Sequence, residues 1–173
     1  MTRFTAGTKA SAVIDASRDR VWEALTDPEV VASLTPFVTA IRADGDHWCW
    51  QMTGLKVAGL GIAPAFTELM TYDEPSRIDF RHDPPTGATE RAGVEGWYAL
   101  SDDAAGTRLD TSMEITVDLP LPRVAGGAVR STMCRVIDQM GERFSKNLLA
   151  HLGAREVASR ASTSSPRGPR DRS

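Results

Sequence analysis

The last third of the chain contains a long amphipathic segment, which limits the possible folds more than any other feature of the sequence. From about Ala125 to Leu152 there is no proline, and the apolar residues recur at helical spacing. They form one stripe that consists of Val129, Met133, Val136, Ile137, Met140, Phe144, Leu148 and Leu152. At 1.5 Å per residue the predicted helix is roughly 40 Å long. Such a helix needs an equally long apolar surface to cover its stripe.

The preceding residues are predicted to supply that surface, because they alternate between apolar and polar at strand spacing. Residues 9–14 predict a first strand, and six further strands are predicted before the long helix. Asp44-Gly45 separates two alternating runs and is typical of a tight hairpin turn. In TRLDTSMEITVDL one set of alternating residues is apolar and the other polar. We therefore expect an antiparallel sheet with one covered face and one solvated face.

Between the first strand and the rest of the sheet, SRDRVWEALTDPEVVASL predicts two short helices with a sharp break. Ser17 is a suitable N-cap for the first helix, and Asp27 for the second. Pro28 fits the first position of the second helix and disfavours helical geometry at Asp27. Because both helices are too short to be stable alone, we expect them to close one end of the space between sheet and long helix.

The segment GLKVAGLGIAP combines four apolar residues with Gly54, Gly59 and Gly61. Two interpretations are open. It is a lid over an apolar opening, with the glycines giving it freedom to move, or it is a bulged edge segment that completes the sheet.

Charge and composition indicate a soluble cytoplasmic domain with a separate tail. The chain has 173 residues, and no apolar run approaches the roughly 20 residues of a membrane span. The start of the chain has no apolar centre typical of a secretory signal. Cys49 and Cys134 are the only cysteines and are predicted to be reduced.

Residues 155–173 contain five Arg and two acidic residues, a net charge of +3, which leaves the first 154 residues at −6. This stretch is rich in Ser, Pro, Gly and Arg and is predicted to be a disordered tail after a domain of residues 1–154. The Arg residues are spaced out with no aromatic residues among them, so we predict a solvated tail rather than one that binds nucleic acid or membrane. The acidic body also disfavours a nucleic-acid partner.

Three sequence stretches and the final helix resemble a known superfamily. SRDRVWEALTDPEVVASLTPFV, YDEPSRIDF and GTRLDTSMEI are similar to the START-related, birch-pollen-allergen-like (SRPBCC) superfamily, particularly its bacterial polyketide cyclase/dehydrase and lipid-transport branch. The resemblance spans about residues 8–152. It implies an α+β helix-grip fold, in which a curved antiparallel sheet of about seven strands wraps around the long helix and encloses a hydrophobic cavity. Members include carriers of lipids and small molecules and aromatase/cyclases.

Inward-facing apolar residues of the predicted sheet and helix are candidate ligand contacts. Trp48 and Trp50 share a strand face with Met52, where they either stack on a flat ligand or fill the core. The full candidate set is Trp48, Trp50, Met52, Phe66, Phe80, His82, Tyr98, Met113, Met133, Ile137, Met140 and Phe144.

Three residues are candidates for proton transfer. His82 follows Phe80 on the inward parity, but a histidine at the rim of the cavity is the preferred interpretation. Tyr98 is predicted to face inward, with Trp97 opposite unless Gly93 or Gly96 introduces a bulge. Glu68 shares parity with Phe66 and would have a raised pKa if buried, although we expect it at an exposed edge.

These patterns favour a binding or transport protein for a small hydrophobic or aromatic ligand. The alternatives are a polyketide aromatase/cyclase or dehydrase acting in the same cavity, and a protein-interaction module without a ligand. The sequence contains no GxSxG, HExxH, CxxC or P-loop motif, and no catalytic set matches residue by residue. His47, His82 and His151 lack metal-ligand spacing, so neither a metal nor a cofactor is predicted. We expect a monomer or a homodimer.

Overall fold

The computed structural model describes residues 1–57 and 59–166, and its elements follow the predicted order. Along the chain they are β1 (Thr2–Ile14), α1 (Arg18–Thr26), α2 (Pro28–Leu34), β2 (Val38–Asp44), β3 (His47–Met52), β4 (Leu55–Val57), β5 (Leu60–Ile62), β6 (Ala65–Asp73), β7 (Arg77–His82), β8 (Ala92–Asp103), β9 (Gly106–Leu119), a 3₁₀ turn (Arg123–Ala125), α3 (Gly126–Leu152) and β10 (Glu156–Pro166). The fold is α+β, with a curved antiparallel sheet and a long C-terminal helix, as the sequence predicted.

Eight strands form the main sheet in the order β10-β1-β9-β8-β7-β6-β3-β2. Seven of them correspond to the predicted strands. The predicted start of β1 at Lys9 is too late, because the strand already begins at Thr2. The residues before Lys9 show no clear alternation, but they pair along β9 from Thr2 opposite Leu119 onward. Backbone hydrogen bonds to a long neighbouring strand, and the burial of Phe4 and Ala6, hold this stretch in extended form.

The eighth strand, β10, departs from the disorder predicted for residues 155–173. Glu156–Pro166 pairs with the outer edge of β1, from Ala6 opposite Pro166 to Ile14 opposite Glu156. Strand pairing uses main-chain groups, so a segment with little apolar content is able to occupy an edge that offers free N–H and C=O groups. The remaining part of the predicted tail, residues 167–173, lies outside the described residues.

The two short helices form where the sequence predicted them. The Asp27 carboxylate caps α2 by accepting hydrogen bonds from the backbone N–H groups of Glu29, at 2.8 Å, and Val30, at 3.2 Å. Pro28 begins α2. Both helices bury their apolar sides in one cluster with the C-terminal end of α3, which contributes Leu148 and Leu152. They therefore close one end of the space between the sheet and α3.

A second apolar cluster closes the opposite end of that space. It joins Val129 and Met133, near the start of α3, to Phe4 of β1 and Val57 of β4. The hairpin β4–β5 forms a separate two-stranded sheet, with Leu55 opposite Ile62. Of the two interpretations of this segment, the bulged edge segment that completes the main sheet is therefore wrong.

None of the described helices combines the length and the apolar character that a membrane crossing requires.

Candidate functional site: an apolar cavity between the sheet and the long helix

Between the inner face of the sheet and α3 lies a cavity of about 820 Å³. The strands contribute inward-facing residues at every second position, as strand geometry requires. Eleven of the twelve predicted ligand contacts line it, namely Trp48, Trp50, Met52, Phe66, Phe80, Tyr98, Met113, Met133, Ile137, Met140 and Phe144. The predicted inward parity of these strands is thus correct, whereas their proposed role as ligand contacts stays a prediction.

The middle of α3 forms the roof of the cavity and is packed less tightly than its ends. Val129 and Met133 near the N-terminal end are at most 3% exposed, and Leu148 and Leu152 at the C-terminal end at most 4%. The apolar residues between them belong to the same stripe but are only partly buried: Val136, Ile137, Met140 and Phe144. The helix is therefore anchored at both ends and spans open space between them.

Aromatic rings form much of the floor. Trp50 of β3 stacks on Phe66 of β6 with ring centroids 5.7 Å apart and planes inclined by 11°. Phe80 of β7 lies beside Tyr98 of β8, with centroids 5.2 Å apart. Trp48 is only 3% exposed and contributes mainly to the core, although it also borders the cavity. Both predicted roles, core filling and cavity lining, therefore apply to strand β3.

Glu68 is the acidic residue placed deepest in this wall. The expected edge exposure is wrong: Glu68 is 3% exposed, because β6 is an interior strand between β3 and β7. Burial raises its pKa to about 8, and the nearby indole of Trp50 opposes that rise. At neutral pH the carboxyl group is therefore largely protonated and able to donate a hydrogen bond.

Tyr98 shares the cavity with Glu68. Its pKa is raised above the ordinary value of 10, first by burial and then by the charge of Glu68, so the phenol keeps its proton. Pairing of β8 with β9 runs without a register shift from Ala92 to Asp103, so Gly93 and Gly96 introduce no bulge there. Tyr98 consequently faces inward, and Trp97 lies on the outer face under the guanidinium of Arg77, 4.4 Å from its ring centroid.

His82 is the one predicted contact that does not line the cavity. Its Nε2 lies 2.8 Å from Oε2 of Glu90, in the loop after β7. The same carboxylate accepts hydrogen bonds from the N–H and the hydroxyl of Thr67, both at 2.7 Å. A Cβ atom at Gly93 would lie 2.5 Å from Cγ of His82, so only glycine fits against the ring. These contacts hold His82 outside the cavity lining, and its position at the rim stays a prediction.

Sequence reasoning missed two parts of this region. Glu90 lies in a loop with no periodic pattern, and only tertiary structure brings it to His82. Leu55, Val57 and Ile62 of the hairpin β4–β5 also line the cavity. The sequence shows that these residues are apolar, which indicates a position near an apolar opening. It does not indicate that they form a hairpin.

Charged residues of the cavity wall are mostly acidic. Besides Glu68 they are Asp138, Glu142 and Lys146 of α3 and Glu156 of β10. Within residues 1–57 and 59–166, no three His, Cys, Asp or Glu side chains come together in a way that could hold a metal ion.

Comparison with known proteins agrees with this architecture. The family model described as "Polyketide cyclase / dehydrase and lipid transport" matches residues 5–152. The chain therefore belongs to the polyketide cyclase/dehydrase and lipid-transport family, and the resemblance predicted from sequence is confirmed. A search of curated proteins finds no match.

Solved structures share the fold at low sequence identity. The Zhui aromatase/cyclase from a Streptomyces species is 15% identical, with a TM-score of 0.62 over 86% of this chain and 94% of that chain. A START superfamily protein from Mycobacterium smegmatis is 15% identical, with a TM-score of 0.59 over 87% of this chain and 97% of that chain. A protein of Thermus thermophilus, TTHA0849, is 16% identical, with a TM-score of 0.62 over 84% of this chain and 98% of that chain.

Proposed function

We propose that this protein binds or transports a small hydrophobic or aromatic molecule in the cavity beneath α3. The observation that carries the proposal is the partly buried stretch of the α3 stripe. Native cores are packed with few voids, so four apolar residues left only partly buried above an 820 Å³ space favour an occupant that completes their burial.

The size and lining of the cavity support the same conclusion. Its volume falls in the range of roughly 300–1,000 Å³ that holds drug-sized ligands. The stacked pair Trp50 and Phe66 offers a flat surface, and Met113, Met133 and Met140 are flexible enough to adapt to different shapes. A lipid or a polyketide-like molecule fits this description.

A matched pair of tryptophan variants tests the proposal. Ile137→Trp places an indole in the cavity, whereas Gln139→Trp adds the same ring at an exposed position of α3 that is outside the cavity lining. We expect native mass spectrometry of gently purified wild-type protein to show an apolar ligand, and a naphthalene-type fluorescent probe to bind. Ile137→Trp should weaken probe binding at least tenfold, and Gln139→Trp should leave it unchanged.

Two results would contradict the proposal. One is the absence of binding across a broad library of lipids and aromatic compounds. The other is equal probe affinity in wild type and Ile137→Trp, which would place the bound probe elsewhere on the protein.

A second candidate function is cyclisation or dehydration of a polyketide-like chain. One observation favours it: Glu68 and Tyr98, both candidates for proton transfer, share one enclosed space. Glu68 would exchange protons with the substrate, and Tyr98 would donate a hydrogen bond to a carbonyl oxygen. His82 does not line the cavity and is not part of this proposed mechanism.

Turnover assays distinguish the enzyme from the carrier. For an enzyme, Glu68→Gln should lower kcat by about 100-fold or more while substrate still binds. Unchanged product formation in Glu68→Gln and Tyr98→Phe would remove both residues from any mechanism.

A further inference from the structure

The apolar floor of the cavity contains a small polar group of side chains. Trp48 lies directly opposite Glu68 in the pairing of β3 with β6, and Trp50 lies opposite Phe66. Trp50 and Glu68 are therefore diagonal neighbours on the inner face. Tyr98 is near enough for the charge of Glu68 to raise its pKa. The three side chains come from strands β3, β6 and β8 and face the same space.

One of these groups, the indole of Trp50, lacks a well-aligned protein partner. The indole Nε1 of Trp50 is buried near the Glu68 carboxyl group, yet it makes no hydrogen bond of acceptable geometry with any described residue. Tyr98 lines the same cavity and carries a hydroxyl that keeps its proton. A buried donor without an acceptor is unfavourable, so such groups are usually satisfied by something else. The place of the Trp50 indole beside Glu68 in the cavity wall indicates where a polar part of the ligand would sit.

The chemistry of the three groups defines what that part must be. An indole N–H only donates, a protonated phenol donates readily, and a protonated carboxyl group donates through its hydroxyl. An oxygen that accepts hydrogen bonds, such as a ketone, ester or phenol oxygen, matches all three. A carboxylate does not, because its charge would lose its hydration in an apolar cavity, and the other charged residues of the lining are Asp138, Glu142 and Glu156 against Lys146 alone.

We propose that the cavity selects uncharged ligands carrying a hydrogen-bond-accepting oxygen, held by Glu68, Tyr98 and Trp50, and rejects carboxylates such as free fatty acids. This inference rests on the proposed binding function and specifies its ligand chemistry. It makes Glu68 a neutral hydrogen-bond donor rather than a charged group.

Ligand binding then depends on pH through Glu68. Below its pKa of about 8 the carboxyl group donates; above it the group is ionised, and binding loses a donor and meets a negative charge. His82 on β7 lies opposite Glu68 in the strand pairing, and Tyr98 on β8 and Tyr72 on β6 are near enough to sense its charge. The other titratable and charged groups that line the same cavity are Asp138, Glu142 and Lys146 on α3 and Glu156 on β10. Tyr98 and Tyr72 both have raised pKa values and stay protonated across the range tested below.

Three probes of one ring system test the selectivity. Naphthalene, 2-acetylnaphthalene and 2-naphthoate differ only in the polar substituent, and their affinities are measured at pH 7 by quenching of tryptophan fluorescence and by calorimetry. We expect 2-acetylnaphthalene to bind about tenfold more tightly than naphthalene, and 2-naphthoate to bind at least tenfold more weakly than 2-acetylnaphthalene. Tyr98→Phe should reduce the preference for the ketone over naphthalene several-fold.

A pH series then tests Glu68 directly. If only the protonated form binds the ketone, wild-type affinity should fall about tenfold or more between pH 7 and pH 9.5. Glu68→Gln keeps a neutral donor at the same place, so its affinity should be nearly independent of pH over that range. Glu95→Gln, an exposed position on β8 outside the cavity lining, serves as the control and should retain the wild-type dependence. Thermal melts of each variant establish that it is folded.

The outcomes separate this inference from the proposed function. Absence of binding by all three probes overturns the binding function and the inference together. Equal affinity of the three probes leaves the binding function standing and overturns the selectivity. Tighter binding of 2-naphthoate, or of 2-naphthylmethylamine as a cationic probe, also overturns it, because either result would mean that the site prefers a charge.

Discussion

The two ends of α3 and its middle carry the same apolar pattern but lie in different surroundings. At the ends, Val129, Met133, Leu148 and Leu152 are buried in two separate apolar clusters. In the middle, Ile137 and its neighbours face an open space of about 820 Å³. The comparison teaches that close packing and the cavity in which we propose ligand binding lie at different parts of one helix. The ends hold the helix on the sheet, and the middle is available to a ligand.

A large effect is expected from shortening a side chain at one end. Leu148→Ala should lower the free energy of unfolding by about 3 kcal/mol, because it leaves a cavity in a closely packed cluster. Ile137→Ala should cost less than about 1 kcal/mol, because its side chain already borders open space. Chemical denaturation of both variants measures the difference. Equal losses at the two positions would break the comparison and indicate a filled interior.

An effect of similar size, but dependent on pH, is expected from replacing the buried carboxyl group of Glu68, which lines the cavity. The pKa of Glu68 is raised from an ordinary 4.5 to about 8 on folding. Its contribution to stability is therefore most favourable below pH 4.5, declines as pH rises toward 8 and stays at its lowest above that. Glu68→Gln should thus stabilise the protein by about 3 to 5 kcal/mol at pH 9 and by little at pH 4.5.

Denaturation of wild type and Glu68→Gln at both pH values measures this change. Glu95→Gln on the outer face should show no comparable pH-dependent gain. A stabilisation of equal size at pH 4.5 and pH 9 would mean that the effect arises from packing rather than from the charge.

The smallest effect concerns the hairpin β4–β5, which covers the cavity near the N-terminal end of α3. Gly59 has a φ of +81°, whereas Gly61 has no positive φ and open space where a Cβ would lie. Gly59→Ala should strain the hairpin by about 1 kcal/mol and accelerate ligand exchange a few-fold, and Gly61→Ala should change neither. Stopped-flow binding measures both rates. Identical rates in Gly59→Ala and wild type would remove the hairpin from the ligand access route.

Much of the fold was predictable because its signals are local. The period of the α3 stripe, the Asp27-Pro28 break and the Asp-Gly turn each depend on a few neighbouring residues. They correctly predicted the long helix, the two short helices and seven strands of the sheet. The inward parity of Trp50 and Tyr98 followed from alternation along single strands, which holds wherever no bulge intervenes.

Other features needed the tertiary structure. Local alternation assigns Glu68 to a face, but only the order of strands shows that β6 is interior and that the carboxyl group is buried. The pairing of Glu156–Pro166 with β1 depends on an edge supplied by residues more than a hundred positions earlier, and its sequence contains no apolar pattern to indicate it.

The division has a physical reason. The sequence by itself determined which residues are helical, which are extended and which face inward, because these properties follow from backbone geometry repeated every two or 3.6 residues. Whether inward-facing residues meet one another or leave a space between them depends on the distance between α3 and the sheet. That distance is set by the two clusters at the ends of the helix, so only the tertiary structure decided that the middle of the stripe borders a cavity and that Glu68, Tyr98 and Trp50 share it.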